Sequence, residues 1–253
     1  MASPRAVRIK RLVWKTAKGL VVLGALLVLA AALAYKNVIP GGPWLVDNAE
    51  LLKNEWRLFT FEREADDVPA GAVVFVGSSS IAAYPLELYF RGAPWVDRGL
   101  PVETAKELAE RFERTMPVAR PAGVVVWTGM NDLRSDDQPP PVVIERVGRV
   151  LDMVAARYPD VPVVLLEIPP QCDTKPQYLE QLHGVNAKLA ELAKARGMTF
   201  LKTDRPPLVT PEGQLSPAMA ARDRKHLNLA GYGILSKWLV EEGGPATAPL
   251  LPR

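Results

Sequence analysis

Short apolar runs alternate with segments of helical periodicity along the chain after residue 72. The short runs predict strands, and apolar positions three and four residues apart predict helices. The predicted strands are Val73–Val76, Pro94–Asp97, Val124–Thr128, Val163–Ile168 and Thr199–Leu201, and the predicted helices are Glu103–Thr115, Val142–Tyr158, Gln177–Arg196 and Ala230–Glu241. Near-continuous apolar strands that alternate with helices form parallel sheets covered on both faces. We therefore predict a three-layer α/β/α doubly wound domain.

The segment before this pattern is predicted to be an amphipathic helix that packs on the domain. Residues 48–66 interleave charged side chains with apolar ones, namely Leu51, Leu52, Trp56, Phe59 and Phe61. Residues 36–47 contain two prolines and two adjacent glycines, which is typical of a linker. We place the catalytic domain at residues 48–253.

An uncharged apolar run covers residues 19–35. As a helix it would span about 25 Å, close to the roughly 30 Å hydrocarbon core of a membrane. Residues 1–18 form a basic tail and no acidic residue precedes Asp47, so the positive-inside rule keeps the tail in the cytoplasm and exports the domain. We expect a transmembrane anchor and a periplasmic or cell-surface domain. Ala32-Leu33-Ala34 also resembles a signal-peptide cleavage site, and cleavage between Ala34 and Tyr35 would release a secreted protein.

The charge distribution argues against a nucleic-acid partner. The formal net charge is +3, but the first 18 residues carry +6, which leaves about −3 for the rest of the chain. The basic pI therefore describes the tail and not a basic surface of the domain.

Glycine and polar residues lie at the carboxyl ends of four predicted strands, where parallel α/β sheets bind their ligands; at the fourth strand these are Glu167 to Gln171. Ser78, Ser79 and Ser80 follow the first strand, Gly99 follows the second, and Gly129 to Asp132 follow the third. Near the carboxyl end of the chain lies Asp223-Arg224-Lys225-His226, which holds the one Asp-x-x-His motif of the sequence. A serine together with an Asp–His pair suggests a serine hydrolase, because a serine hydroxyl needs a base to become nucleophilic.

These motifs have the order and spacing of the four sequence blocks of the SGNH, or GDSL-like, hydrolases. The blocks are Gly77-Ser78-Ser79, Asp97-Arg98-Gly99, Gly129-Met130-Asn131-Asp132 and Asp223-x-x-His226, and the resemblance covers about residues 50–242. It implies a flavodoxin-like α/β/α fold and an esterase or acylhydrolase activity.

The resemblance also implies roles for individual residues. Ser79 corresponds to the nucleophile, His226 to the general base and Asp223 to the residue that orients the imidazole. The backbone N–H groups of Ser79 and Val102 and the side-chain amide of Asn131 correspond to the oxyanion hole. Supporting positions are Gly77, Gly99, Gly129 and Asp132; Asp132 and Arg98 are expected to brace the two oxyanion loops.

Two of the blocks depart from the family pattern. Ser78 replaces the usual aspartate of the first block. The second block reads Asp97-Arg98-Gly99-Leu100-Pro101-Val102, whereas family members often read Asn-Arg-Gly-x-x-Gly, so Val102 stands where glycine is usual. Valine can supply the same backbone donor, but glycine reaches backbone angles that valine avoids.

No motif indicates a metal or another cofactor: the sequence has no Cys and His cluster and no glycine-rich phosphate loop after a strand. We expect hydrolysis of a short acyl ester, acetyl in the first instance, on a small molecule or an envelope carbohydrate. The same motifs leave open an acyltransferase, a lysophospholipase or thioesterase, and a catalytically weak binding or scaffold module. The oligomeric state is not determined by the sequence.

Overall fold

The computed structural model describes residues 49–251. The basic tail at 1–18, the apolar run at 19–35 and the linker at 36–47 lie outside the described residues. Within residues 49–251, no helix is both long and apolar enough to cross a membrane. The first described element is helix α1, Ala49–Glu64.

Five strands and eight helices follow one another in residues 49–251. After α1, the strands are β1 Val73–Gly77, β2 Trp95–Gly99, β3 Gly123–Trp127, β4 Val163–Leu166 and β5 Thr199–Leu201. The remaining helices are α2 Ser79–Ala82, α3 Leu86–Tyr89, α4 Ala105–Thr115, α5 Met130–Arg134, α6 Pro140–Arg157, α7 Pro176–Ala195 and α8 Leu229–Glu242, and two 3₁₀ turns follow at Gly244–Ala246 and Ala248–Leu250.

The five strands form one parallel sheet in the order β2-β1-β3-β4-β5. Its chain therefore moves in one direction from β1 to β2 and in the opposite direction from β3 onward. The carboxyl ends of β1 and β3 flank the point where the direction reverses, which is where open α/β sheets bind ligands. Gly77 at the end of β1 pairs with Gly99 on one side and with Trp127 on the other.

The two faces of the sheet bury separate apolar clusters. Side chains such as Val74 and Val124 pack on one face against α4, α6 and α7. Side chains such as Phe75 and Val125 pack on the other face against α2, α3 and α8. This alternation confirms the predicted three-layer α/β/α arrangement.

Local sequence signals explain where several helices begin and end. Thr104 and Glu107 form a reciprocal capping box at the start of α4. Both α6 and α7 begin with proline. Proline has no N–H to donate, but the N–H groups of a first helical turn have no acceptor within the helix, so no hydrogen bond is lost there. Gly197 follows α7 with φ +67°, the left-handed cap that the sequence predicts at this position.

The predicted fourth strand is longer than the observed one. Strand β4 ends at Leu166, whereas the apolar pattern predicts a strand to Ile168. The backbone of Ile168 instead bonds to the side chain of Asn186 on α7, with the N–H at 3.1 Å from Oδ1 and the carbonyl at 2.8 Å from Nδ2. A side-chain amide thus replaces a neighbouring strand.

Candidate active site

Ser79 begins α2, directly after the carboxyl end of β1. The turn before it requires glycine, because a Cβ on Gly77 would lie 2.0 Å from the carbonyl oxygen of Trp127. Ser78 is buried and donates its N–H to that same carbonyl at 3.2 Å. The backbone around Ser79 is therefore fixed against β3.

His226 and Asp223 reach Ser79 from the long segment between β5 and α8. His226 Nε2 lies 2.7 Å from Ser79 Oγ, and His226 Nδ1 lies 2.5 Å from Asp223 Oδ2. An ionised carboxylate can only accept, so Nδ1 carries the hydrogen and Nε2 accepts the hydrogen bond from the serine hydroxyl. The structure thus joins three residues that are up to 147 positions apart in sequence.

The environment of Asp223 favours its ionised form. Partial burial opposes ionisation, but the side-chain hydrogen bond from His226 and the N–H groups of Lys225 and His226 outweigh it and lower the pKa of Asp223 to about 2. The carboxylate is therefore available to hold the imidazole at any ordinary pH.

The second sequence block forms the loop after β2. Leu100 donates its N–H to the carbonyl of Gly77 at 2.9 Å, which ties this loop to the turn that carries Ser79. Val102 has φ +63° and is 61% exposed. The backbone of Val102 is therefore in the left-handed conformation, which glycine adopts without strain. Within the described part of the chain, the N–H groups of Val102 and Ser79 have no acceptor.

Asn131 connects the third block to the second. Asn131 lies two residues after Gly129, where the chain turns out of β3. Gly129 has φ +106°, a backbone conformation that favours glycine. Asn131 Nδ2 donates one hydrogen to the carbonyl of Glu103 at 2.9 Å. An amide carries two hydrogens on Nδ2, so one remains available to a ligand.

Asp132 fixes the same two loops from beneath. It is fully buried, and its Oδ2 accepts the N–H of Ala105 at 2.7 Å while Oδ1 accepts from Arg146 at 3.0 Å. Burial raises the pKa of Asp132, and these hydrogen bonds oppose the rise. The carboxylate of Asp132 therefore faces the start of α4 and Arg146, and its contacts are structural.

A buried ion pair that the sequence analysis missed lies behind Val102. Glu103 accepts two hydrogen bonds from Arg111, one from Nε and one from Nη2. Burial raises the pKa of Glu103 to about 7, against the lowering effect of Arg111. Arg111 also donates to the carbonyl of Arg98 at 2.8 Å, so α4 holds both ends of the second block. The one feature of the sequence that could have pointed to this ion pair is that Glu103 directly follows Val102.

The rim beside the Asp–His segment is polar and charged. Arg224 makes two hydrogen bonds to the carboxylate of Asp173, at 2.8 and 3.0 Å. Arg134, at the end of α5, donates to Gln171 Oε1 at 2.6 Å. His183, the second histidine of the chain, lies elsewhere on α7, half exposed and 3.3 Å from Asp204. In residues 49–251 no group of three His, Cys, Asp or Glu residues is arranged to hold a metal.

The model of the GDSL-like lipase/acylhydrolase family matches residues 76–234 of the chain. The protein therefore belongs to this family, and the resemblance inferred from its four blocks is confirmed. No curated protein sequence matches the chain.

Solved structures share the fold at low sequence identity. A candidate platelet activating factor from Streptococcus pneumonia is 24% identical with a TM-score of 0.70, covering 78% of this chain and 96% of its own. A GDSL-like lipase from Bacteroides thetaiotaomicron is 19% identical with a TM-score of 0.60, covering 73% and 97%. An acetylxylan esterase from Geobacillus stearothermophilus is 16% identical with a TM-score of 0.53, covering 70% and 96%. The three-layer domain is therefore the fold of the SGNH hydrolases.

Proposed function

We propose that the protein is a serine esterase that forms an acyl intermediate on Ser79. The observation that carries the proposal is the continuous hydrogen-bonded path from Asp223 through His226 to Ser79 Oγ, with distances of 2.5 and 2.7 Å. A serine at the carboxyl end of a strand, in contact with a histidine that a carboxylate orients, is the arrangement that activates a hydroxyl for attack on an ester.

In the proposed reaction, Ser79 Oγ attacks the ester carbonyl carbon while its proton passes to His226 Nε2. The carbonyl oxygen becomes negatively charged and accepts hydrogen bonds donated by the N–H groups of Ser79 and Val102 and by the remaining amide hydrogen of Asn131. His226 then gives the proton to the departing alcohol, and an acyl-Ser79 ester remains. Water then attacks the acyl carbon while His226 Nε2 takes one of its protons. As the bond between the acyl carbon and Ser79 Oγ breaks, His226 returns this proton to Oγ, and the free acid leaves.

A short acyl group on a polar alcohol fits the rim of the site. The neighbouring exposed side chains Arg134, Asp173 and Arg224 are charged, so this rim offers little apolar wall to a long acyl chain. Each buried methylene adds about 0.8 kcal/mol of binding only where such a wall exists. The structural likeness to an acetylxylan esterase agrees with acetyl as the first acyl group to test.

The location of the reaction is proposed from the sequence. The basic residues at 1–18 and the apolar run at 19–35 support a membrane-tethered domain that faces away from the cytoplasm, where an acylated envelope carbohydrate is the expected substrate. Reporter fusions after Asn48 should be active outside the cytoplasm. Activity of the fusions only in the cytoplasm would refute this orientation.

Labelling with a fluorophosphonate tests the nucleophile. The fragment 45–253 should gain the mass of one adduct, and peptide mapping should place the adduct on Ser79. Ser79→Ala is the matched control and should gain none. A label on Ser80, or equal labelling of the Ser79→Ala variant, would refute the assignment.

A series of nitrophenyl esters tests the acyl group. Rates should peak at acyl chains of about two to four carbons and fall beyond about six, because the charged rim offers little apolar wall to further methylenes. Rates that rise to eight carbons or more would favour a lysophospholipase or thioesterase.

A further inference from the structure

Helix α1 contacts the second block of the site although it precedes the residues that the family model matches, 76–234. Arg57 of α1 donates to the carbonyl of Gly99 from Nη2 at 2.8 Å and from Nε at 3.1 Å. The same Nη2 lies 2.9 Å from Asp97 Oδ2. One guanidinium thus holds both the backbone and a side chain of the second block.

The carboxylate of Asp97 needs a nearby positive charge, and Arg57 lies beside it. Its Oδ1 accepts the N–H of Gly99 at 2.7 Å, which turns the chain at the end of β2. Burial raises the pKa of Asp97, and the hydrogen bonds from Gly99 and Arg57 oppose the rise. Asparagine, usual at this place in the family, would supply the same acceptor without a charge. A partly buried carboxylate needs a cation, and Arg57 supplies it.

The position of Arg57 is itself fixed by packing. Its guanidinium lies 5.2 Å from the ring centre of Phe61, a buried residue one turn further along α1. The guanidinium of Arg98 lies 4.8 Å from the centre of the same ring. Both cations therefore share one aromatic platform, which limits the movement of the Arg57 side chain.

Gly99 stands three residues before Val102, the strained residue whose N–H faces the reacting oxygen in the proposed function. The segment between them is held at Leu100 by Gly77 and beyond Val102 by Asn131. We propose that Arg57 is a positioning residue for the oxyanion loop, and that it acts by neutralising Asp97 and fixing Gly99. This inference rests on the proposed esterase function.

Substitutions in the full chain test the role of Arg57 with nitrophenyl acetate. Arg57→Ala should lower kcat about 10- to 100-fold and leave KM within about threefold, since a misplaced oxyanion donor weakens the transition state more than the ground state. Arg57→Lys should recover part of the loss. Arg63→Ala is the matched control: Arg63 is an exposed arginine of the same helix that stacks on Phe59, and its loss should leave kcat unchanged.

Asp97→Asn separates charge neutralisation from packing. Asparagine keeps the acceptor for Gly99, so Asp97→Asn alone should retain kcat within about threefold. The double variant Arg57→Ala/Asp97→Asn should then be at least fivefold faster than Arg57→Ala, because no buried charge is left unpaired. A double variant as slow as Arg57→Ala would refute action through the charge of Asp97.

Three further results would overturn the proposal: an unchanged kcat in Arg57→Ala, a change in KM alone, or failure of both Arg57→Ala and Arg57→Gln to fold as judged by circular dichroism. The last result would make Arg57 a folding residue. Ser79→Ala distinguishes these failures from failure of the proposed function. If Ser79→Ala is inactive while Arg57→Ala is fully active, only the positioning role is wrong; if Ser79→Ala is active, the esterase mechanism is wrong.

Discussion

Replacement of Val102 by glycine tests whether the second loop stores backbone strain. Val102 has φ +63°, where an L-residue with a side chain is disfavoured by about 1 to 2 kcal/mol. Glycine removes that penalty but costs about 0.5 to 1 kcal/mol, because glycine has more freedom in the unfolded chain. The side chain is 61% exposed. Loss of its buried part costs about 1 kcal/mol, under half the value for full burial. The relief of strain and the two losses nearly cancel, so Val102→Gly should leave the free energy of unfolding almost unchanged.

Val118→Gly is the matched control. Val118 is also a loop valine, is 62% exposed, and is not among the described residues with positive φ. Its replacement incurs the same two losses without relief of strain, so it should destabilise the protein by about 1.5 to 2 kcal/mol. The two variants should therefore differ by about 1 to 2 kcal/mol, or about 2 to 8 °C in Tm for a domain of this size.

Thermal unfolding followed by circular dichroism measures this difference in the fragment 45–253. Ester hydrolysis should be retained within about threefold in Val102→Gly, since glycine presents the same N–H. Equal Tm values for the two variants would refute the strain at Val102. A fall of 100-fold or more in kcat with an intact fold would show that the valine side chain itself contacts the substrate.

Three further predictions concern the residues around Ser79. Ser78→Ala and Ser80→Ala should retain measurable ester hydrolysis, whereas Ser79→Ala should abolish it; activity of Ser79→Ala in a steady-state assay would remove it as nucleophile. Asn131→Ala should lower kcat about 10²- to 10³-fold with a much smaller change in KM, because in the proposed mechanism the second hydrogen of its amide bonds the oxyanion; a change confined to KM would assign Asn131 to substrate binding. The Asp223 carboxyl should titrate near pH 2 by NMR, because hydrogen bonds favour its charged form, and the stabilisation from those bonds should be lost progressively as the pH falls from about 4, the pKa of an unfolded Asp, through that value. His226→Ala removes the largest of those bonds and should move the titration upward, and an unmoved titration would contradict the observed contact.

The sheet could be predicted from sequence because its strands are buried on both faces. Val73 to Val76 and Val124 to Trp127 carry unbroken apolar runs, and burial on both faces is what produces such runs. The short helices α2, α3 and α5 were missed. Helices of four or five residues contain too few turns to show a periodic pattern. The segment after β5 reads as a polar loop, yet Leu208 and Leu215 pack in the core.

The site was predictable only in part, for a related reason. Ser79, Asn131 and Asp223-x-x-His226 stand in recognisable blocks, and parallel strands bring their carboxyl ends to one edge. The contacts that hold these blocks have no such signal. Glu103 with Arg111, and Arg57 with Asp97, are ion pairs between elements, and a charged residue in a helix is ordinarily solvated. Their partners emerge only once the elements are packed.

Helix α1 also determines how far the catalytic fragment can be shortened. Among the described residues β2 pairs with β1 alone, so the other side of β2 is a sheet edge. Arg57 of α1 donates a hydrogen bond to the carbonyl of Gly99, the last residue of β2. Unpaired strand edges are templates for pairing between molecules. A fragment that begins at Asp66 would uncover this edge and should self-associate into aggregates, whereas a fragment that begins at residue 45 keeps the edge covered.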